Sequence, residues 1–133
     1  MIGALQMMPL LVEASPGFAE CWREFQAEWA DETSSPHYLV LSGFARHMCS
    51  LLSSGDEEAL RRIFAVIERL HIEGDQYVKE AATIGLLEDL QNTNLHLQST
   101  SPDQFEKFLL PISAKWWKKV EDFWEKGKII TDD

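Results

Sequence analysis

Three groups of residues in this chain have side chains that could do chemistry. Glu20, Glu24, Glu28, Asp31 and Glu32 place five carboxylates at helical spacing with only Arg23 among them. Carboxylates one turn apart repel each other, and such a face suits a basic docking partner. The same pattern also describes the solvated side of an amphipathic helix. Glu88 and Asp89 stand on an otherwise apolar segment. Burial there would raise a carboxyl's pKa toward general acid–base use, but a structural pair with Arg46 or Arg69 is the simpler expectation. Trp116, Trp117 and Trp124, with Lys115, Lys118, Lys119, Lys126 and Lys128 nearby, have the residue types that stack nucleic-acid bases. Glu121, Asp122 and Glu125 neutralise that region, and aromatic residues at helical spacing are expected in the core.

Other reactive arrangements are missing from the pattern. His37, His47, His71 and His96 are scattered, with no two at the spacing of three or four that puts metal ligands on one helical face. His47 and Cys49 could not meet one ion from a single helix without strain. No serine or cysteine sits in a glycine-framed turn, and no glycine loop could cradle phosphate. Cys21 and Cys49 lack the spacing of a disulfide framework or a metal knuckle, and read as small core residues in a reducing cytoplasm. The expectation is a protein without catalytic residues, metal or cofactor.

Composition narrows the class of partner. With 133 residues, 45% of them hydrophobic, and five tryptophans, the chain can bury about two thirds of its unfolded surface as one domain. A net charge of −10 argues against nucleic-acid binding, which needs clustered Lys and Arg. Residues 1 to 100 hold 15 of the 22 acids and 6 of the 12 bases, so the acidity belongs to the body and would draw a basic partner from a distance. No run approaches the roughly 18 apolar residues a membrane span needs. Met1 to Val12 is apolar, but no Lys or Arg precedes Arg23, so a secretory signal is not expected and the chain reads as cytoplasmic.

The elements that position these groups are helices. From Asp56 to Asn92, two helical patterns are joined by Gly74. The first carries Leu60, Ile63, Phe64, Ile67 and Leu70 on one stripe. Gly55 can end the preceding helix in a left-handed turn and Asp56 can cap the next, and Gly74 with Asp75 has the form to repeat the device. The second pattern, through Val78, Ala81, Ala82, Ile84, Gly85, Leu86, Leu87 and Leu90, is apolar all round and should be buried on all sides. Around this pair the sequence predicts a short helix from about Pro9, one from Ser15-Pro16 with the stripe Phe18, Trp22, Phe25 and Trp29, and one from Ser35-Pro36 to Gly55. A polar connection from Thr93 to Thr100 leads to a capping box at Ser101 to Gln104 and a short helix through Phe105, Phe108 and Leu109. The last helix starts at Pro111, with Trp116, Trp117, Val120, Phe123 and Trp124 on one face and Lys118 paired to Asp122. Residues 128 to 133 should fray. No strand pattern competes, so the fold is expected to be all-α: one domain of about six helices, in an irregular bundle or a short stack of HEAT-like hairpins.

Several segments together carry a resemblance: Pro9-Leu10-Leu11, Trp22 with Phe25 and Trp29, Phe44-Ala45-Arg46, Ile67-Glu68-Arg69-Leu70, Gly85 to Asn92, and Trp116-Trp117 with Phe123-Trp124. The chain resembles, over nearly its whole length, a family of small, acidic, all-helical bacterial proteins of unknown function. Leu110 to Lys115 departs from the Gly-Pro-Glu-Ser stretch that more usually precedes the tryptophan. The resemblance brings no catalytic residues. In size, acidity and helical make-up the chain is similar to immunity proteins, which block toxins inside the cell. The functional expectation is therefore a non-enzymatic domain occluding a basic toxin through Glu20, Glu24, Glu28, Asp31 and Glu32. The alternative is a helical adaptor holding a peptide or protein in a groove, with oligomeric state left open.

Overall fold

Every stretch of regular structure among the described residues is helical. The computed structural model describes residues 1–31, 36–96 and 99–131. Its elements are α1 (Ala4–Ala14), a 3₁₀ turn (Pro16–Phe18), α2 (Ala19–Glu28), α3 (His37–Ser54), α4 (Glu57–Glu73), α5 (Gln76–Glu80), a π-helical segment (Ala81–Leu87), α6 (Glu88–Gln91), 3₁₀ stretches at Thr93–Leu95 and Pro102–Phe108, and α7 (Pro111–Lys126). Because α5, the π segment and α6 follow without a break, these elements make six rods. The all-α expectation holds. Among the described residues, no helix is long and apolar enough to cross a membrane.

The bundle is organised on α4, whose Leu60, Ile63, Phe64, Ile67 and Leu70 are completely buried as their spacing requires. α1, α3, the α5–π run and α7 all touch it. Its start is as read from sequence: Gly55 has φ +78°, open to glycine at little cost, and the Asp56 carboxylate accepts the Ala59 amide at 3.2 Å. Arg62 reaches across to the last carbonyl of α1, donating from Nε to Ala14 at 3.0 Å. That places a cation at the negative end of the neighbouring helix.

Gly74 works differently from the left-handed stop expected of it. Its φ is −70°, and the reason for glycine is space: a Cβ there would lie 2.4 Å from the Leu70 carbonyl oxygen and 2.6 Å from Val78 Cγ1. The chain is also tied at this point to the N-terminus, since Ile2 donates to the Glu73 carbonyl at 2.7 Å and accepts from Asp75 at 2.9 Å. Asp75 does cap α5, accepting the Val78 amide at 2.9 Å. Gly74→Ala should cost about 2 kcal/mol through overpacking against backbone that cannot give way. The check is the midpoint of urea unfolding, and an unchanged midpoint would contradict this account.

Two further expectations, on the start of α1 and on the end of α7, are corrected. α1 begins at Ala4, five residues before Pro9, which lies inside the helix. Pro9 cannot donate to the carbonyl of Leu5, but both residues lie on the exposed side, where water can replace the missing bond. The short helix expected through Phe105 and Phe108 is present as the 3₁₀ stretch, ending before Leu109, and Gln104 closes its half of the expected cap on the Ser101 amide at 2.7 Å. On α7, Trp117 and Val120 are buried and Trp116 half-buried, but Phe123 and Trp124 are exposed, so the expected aromatic face is core only in its first half. Beyond the left-handed Gly127 the described tail has no regular structure; there the Lys119 ammonium donates to the Thr131 carbonyl and Ile130 is half-buried. Asp132 and Asp133 lie outside the described residues.

The apolar run after Gly74 is buried as expected, with a backbone the pattern did not reveal. Ala81, Ala82, Thr83, Gly85, Leu86 and Leu87 are buried and Ile84 alone in the π segment is exposed. Gly85 lets α3 close in: a Cβ there would meet Leu41 Cδ1 at 2.9 Å and Tyr38 Cδ1 at 3.2 Å.

Candidate functional site

Two places carry more polar chemistry than packing needs. The first is α2. Its stripe is docked lightly: Trp22, Phe25 and Trp29 are half-buried, the first two stacked at 5.8 Å between ring centres and the last two tilted at 6.3 Å, and none of the helix's residues is fully buried. Glu20, Glu24 and Glu28 project from the other side and Asp31 follows them, all four exposed. Glu32, the fifth carboxylate of the expected face, lies outside the described residues, as does Ser35 of the cap before α3. The ion pairs among the described residues lie elsewhere, on α4, the 3₁₀ stretch after Ser101 and α7. Uncompensated carboxylates therefore share one helical face. Cys21, expected in the core, is exposed on this helix because the light docking leaves its flanks in solvent. Cys49 is buried, with its thiol pushed up to about 11 by desolvation.

The second place is a buried polar chain that sequence reasoning missed. Glu68 on α4 accepts the Ile112 amide at 3.0 Å, the Ser113 amide at 2.8 Å and the Ser113 hydroxyl at 2.8 Å. A side chain from another helix thus caps α7, whose own N-terminal residue, Leu110, has no side-chain acceptor. Burial alone would raise the Glu68 pKa, but those donors and neighbouring His71 hold it below the ordinary carboxylate value. His71 Nδ1 lies 2.9 Å from the Ser113 hydroxyl and Nε2 lies 3.0 Å from the Thr83 hydroxyl. Since Ser113 gives its proton to Glu68, Nδ1–H must donate to Ser113 and bare Nε2 must accept from Thr83. Burial pushes His71 down to about 4, against opposing pulls from Glu68 and the Ile67 backbone, so the imidazole is neutral at pH 7.

Thr83 also lines a cavity of about 200 Å³ with Lys79, Glu80, Ile84, Trp116 and Ile130. The sequence of hydroxyl, imidazole, hydroxyl and carboxylate resembles a proton relay. Each member is nonetheless satisfied by the next, and Thr83 is 4% exposed. The physical effect is to lock α4, the π segment and α7 into one arrangement. One signal for it was present, because His71 falls four residues after Ile67, on α4's apolar stripe. Thr83 and Ser113 carried none.

Glu88 does not acquire the partners expected of it. Arg69 binds Glu73 at 2.9 Å, and Arg46 acts on Asp89. Burial raises the carboxyl pKa of both Glu88 and Asp89, with Asp89 adding to the rise at Glu88, while Ser42 and Arg46 pull Asp89 back. Both are half-buried at the end of the run, where it turns polar. Glu88 is not among the residues lining the cavity beside Thr83. Among the described residues, no three His, Cys, Asp or Glu side chains gather as metal ligands would.

Fold and sites together define an all-α helical-bundle domain with an exposed acidic helix. Its family is one of unknown function: residues 8–125 match the domain of unknown function DUF7674, and the chain belongs to that family. No curated protein and no solved structure matches the chain.

Proposed function

We propose that this is a non-enzymatic binding domain whose partner is a basic protein, most concretely a toxin domain that it neutralises by occlusion, as immunity proteins do. The observation that carries the reading is the set of exposed carboxylates Glu20, Glu24 and Glu28 on one lightly docked helix, with Asp31 in the turn after it, and no ion pair to them among the described residues. Like charges at this spacing destabilise a helix slightly, and a basic surface laid against them relieves the repulsion and speeds encounter. The test is co-expression with a basic toxin domain encoded beside this chain. The reading expects restored growth and a one-to-one complex, both lost in Glu24→Lys/Glu28→Lys; growth that stays arrested beside the unaltered protein sinks it.

A second reading, an adaptor that holds a peptide, is favoured by one observation. The cavity between α5, the π segment and α7 is walled by Ile84 and Trp116, and the chain's own Ile130 lies in that lining. The tail thus already contributes a branched apolar side chain to the cavity wall. Deleting residues 128–133 should open the cavity to an added Ile-containing peptide on this reading, and should leave toxin binding through α2 unchanged on the first.

A further inference from the structure

The cavity between α5, the π segment and α7 carries a charge pattern that neither docking reading uses. Its volume is about 200 Å³, and Ile84, Trp116 and Ile130 give it apolar walls. Ile130 comes from the segment beyond Gly127, which the Lys119 ammonium holds by the Thr131 carbonyl. An apolar cavity of about 150 Å³ takes up benzene, so this one has room for a single ring with a short arm. A peptide would need the segment after Gly127 to move, and a molecule of that size does not.

The polar groups of the lining are unequally engaged. The Thr83 hydroxyl is committed to His71 at 3.0 Å. Gln76 donates to the Glu80 carboxylate at 3.2 Å, so the one acid of the lining is already met. Lys79 makes no ion pair among the described residues. Two more ammonium groups lie at the Trp116 wall, Lys115 at 5.7 Å and Lys119 at 4.5 Å from the ring centre. In a chain of net charge −10, three cations beside one engaged carboxylate make a locally positive site. Apolar walls with a few polar groups among them are the form of a small-molecule site.

We propose that this cavity binds a small monocarboxylate whose apolar body is the size of one ring, with the body against Ile84, Ile130 and Trp116 and the carboxylate toward Lys79. A neutral hydrocarbon would fill the walls and leave the ammonium groups without a counter-charge. A small amine would add a fourth cation to three. A compact anion such as phosphate has no apolar surface to lay against the walls. The inference goes beyond both readings of function, since it needs neither a basic partner nor a displaced segment.

The test uses the whole chain and two probes of nearly equal shape, phenylacetate and uncharged phenylacetamide, followed by the tryptophan indole N–H resonances. The expected result is a saturable shift of the Trp116 signal by phenylacetate, with a Kd on the order of 1 mM, and about fivefold weaker binding of the amide. Lys79→Gln, on an exposed position, should weaken phenylacetate about fivefold and leave the amide unchanged, which isolates the charge contact. Ile84→Trp, which fills the cavity from its exposed side, should abolish the response to both probes while the Trp22, Trp29, Trp117 and Trp124 signals stay in place and show that the fold is intact. No saturable response of Trp116 to phenylacetate overturns the proposal. So does equal affinity for acid and amide, an equal loss of both in Lys79→Gln, or binding that survives Ile84→Trp in the intact fold.

Discussion

Replacing Glu68 with alanine is expected to cost about 3 kcal/mol, more than any other single truncation of a polar side chain in this bundle. Three donors converge on that carboxylate, two of them backbone amides of the first turn of α7. Truncation leaves the Ile112 and Ser113 amides without their acceptor, and it releases the Ser113 hydroxyl that fixes the His71 tautomer. Bonds to a charged acceptor are about twice as strong as neutral ones, and the desolvation of each stranded group adds to the loss. Glu68→Gln should be nearly as damaging, because its NH₂ would point a donor at donors. Urea unfolding is the measurement, with the slope unchanged and the midpoint lowered. A loss below about 1 kcal/mol in both variants would mean that α7 is held by apolar packing alone.

Acid should destabilise the fold well above the range where carboxylates titrate, and His71 is the cause. In the folded chain its pKa is lowered to about 4 from an ordinary 6.5. As pH falls through 6.5, the unfolded chain takes a proton that the folded chain refuses, so stability declines until the folded group titrates near 4. The full decline amounts to about 3 kcal/mol. His47, also lowered by burial, acts in the same direction. Glu68 has the opposite chemistry but the same sign in acid: its depressed pKa contributes stability above the ordinary carboxylate value, and that contribution is lost as pH falls through its folded value. Stability measured by urea at pH 7, 6, 5 and 4 should fall steadily, with a shallower slope in His71→Gln. A flat profile between 6.5 and 4.5 in the unaltered protein would contradict a neutral, buried imidazole.

Much of the architecture was legible because it is written locally. Gly55 and Asp56, Ser101 to Gln104, Pro111, and the Lys118–Asp122 pair act within a turn of themselves, and each does what its residue type requires. The stripe of α4 was legible because burying one side leaves a three-and-four spacing behind. Where reading failed, the deciding contact came from elsewhere in the chain. Pro9 looked like a helix start, yet α1 extends to Ala4 with Ile2 held against Gly74 and Met7, Met8 and Leu11 in the core. Gly74 looked like a left-handed stop, yet Leu70 and Val78 demand its missing side chain. Glu68 carried no signal of its role, since it caps a helix more than forty residues away in sequence. Of the candidate site, the acidic face was readable from spacing. The buried chain of Thr83, His71, Ser113 and Glu68 was not, since its members come from three elements far apart in sequence.

The central claim, that the acidic helix α2 docks a basic protein, is tested most directly by stopped-flow association with a neighbouring basic toxin domain across a salt series. Steering by Glu20, Glu24, Glu28 and Asp31 predicts an association rate that falls about tenfold between low and high salt, with the dissociation rate little changed. Glu24→Lys/Glu28→Lys should lower the rate at low salt to about the unaltered protein's high-salt value. An association rate indifferent both to salt and to that charge reversal would show that the carboxylates of α2 only face solvent.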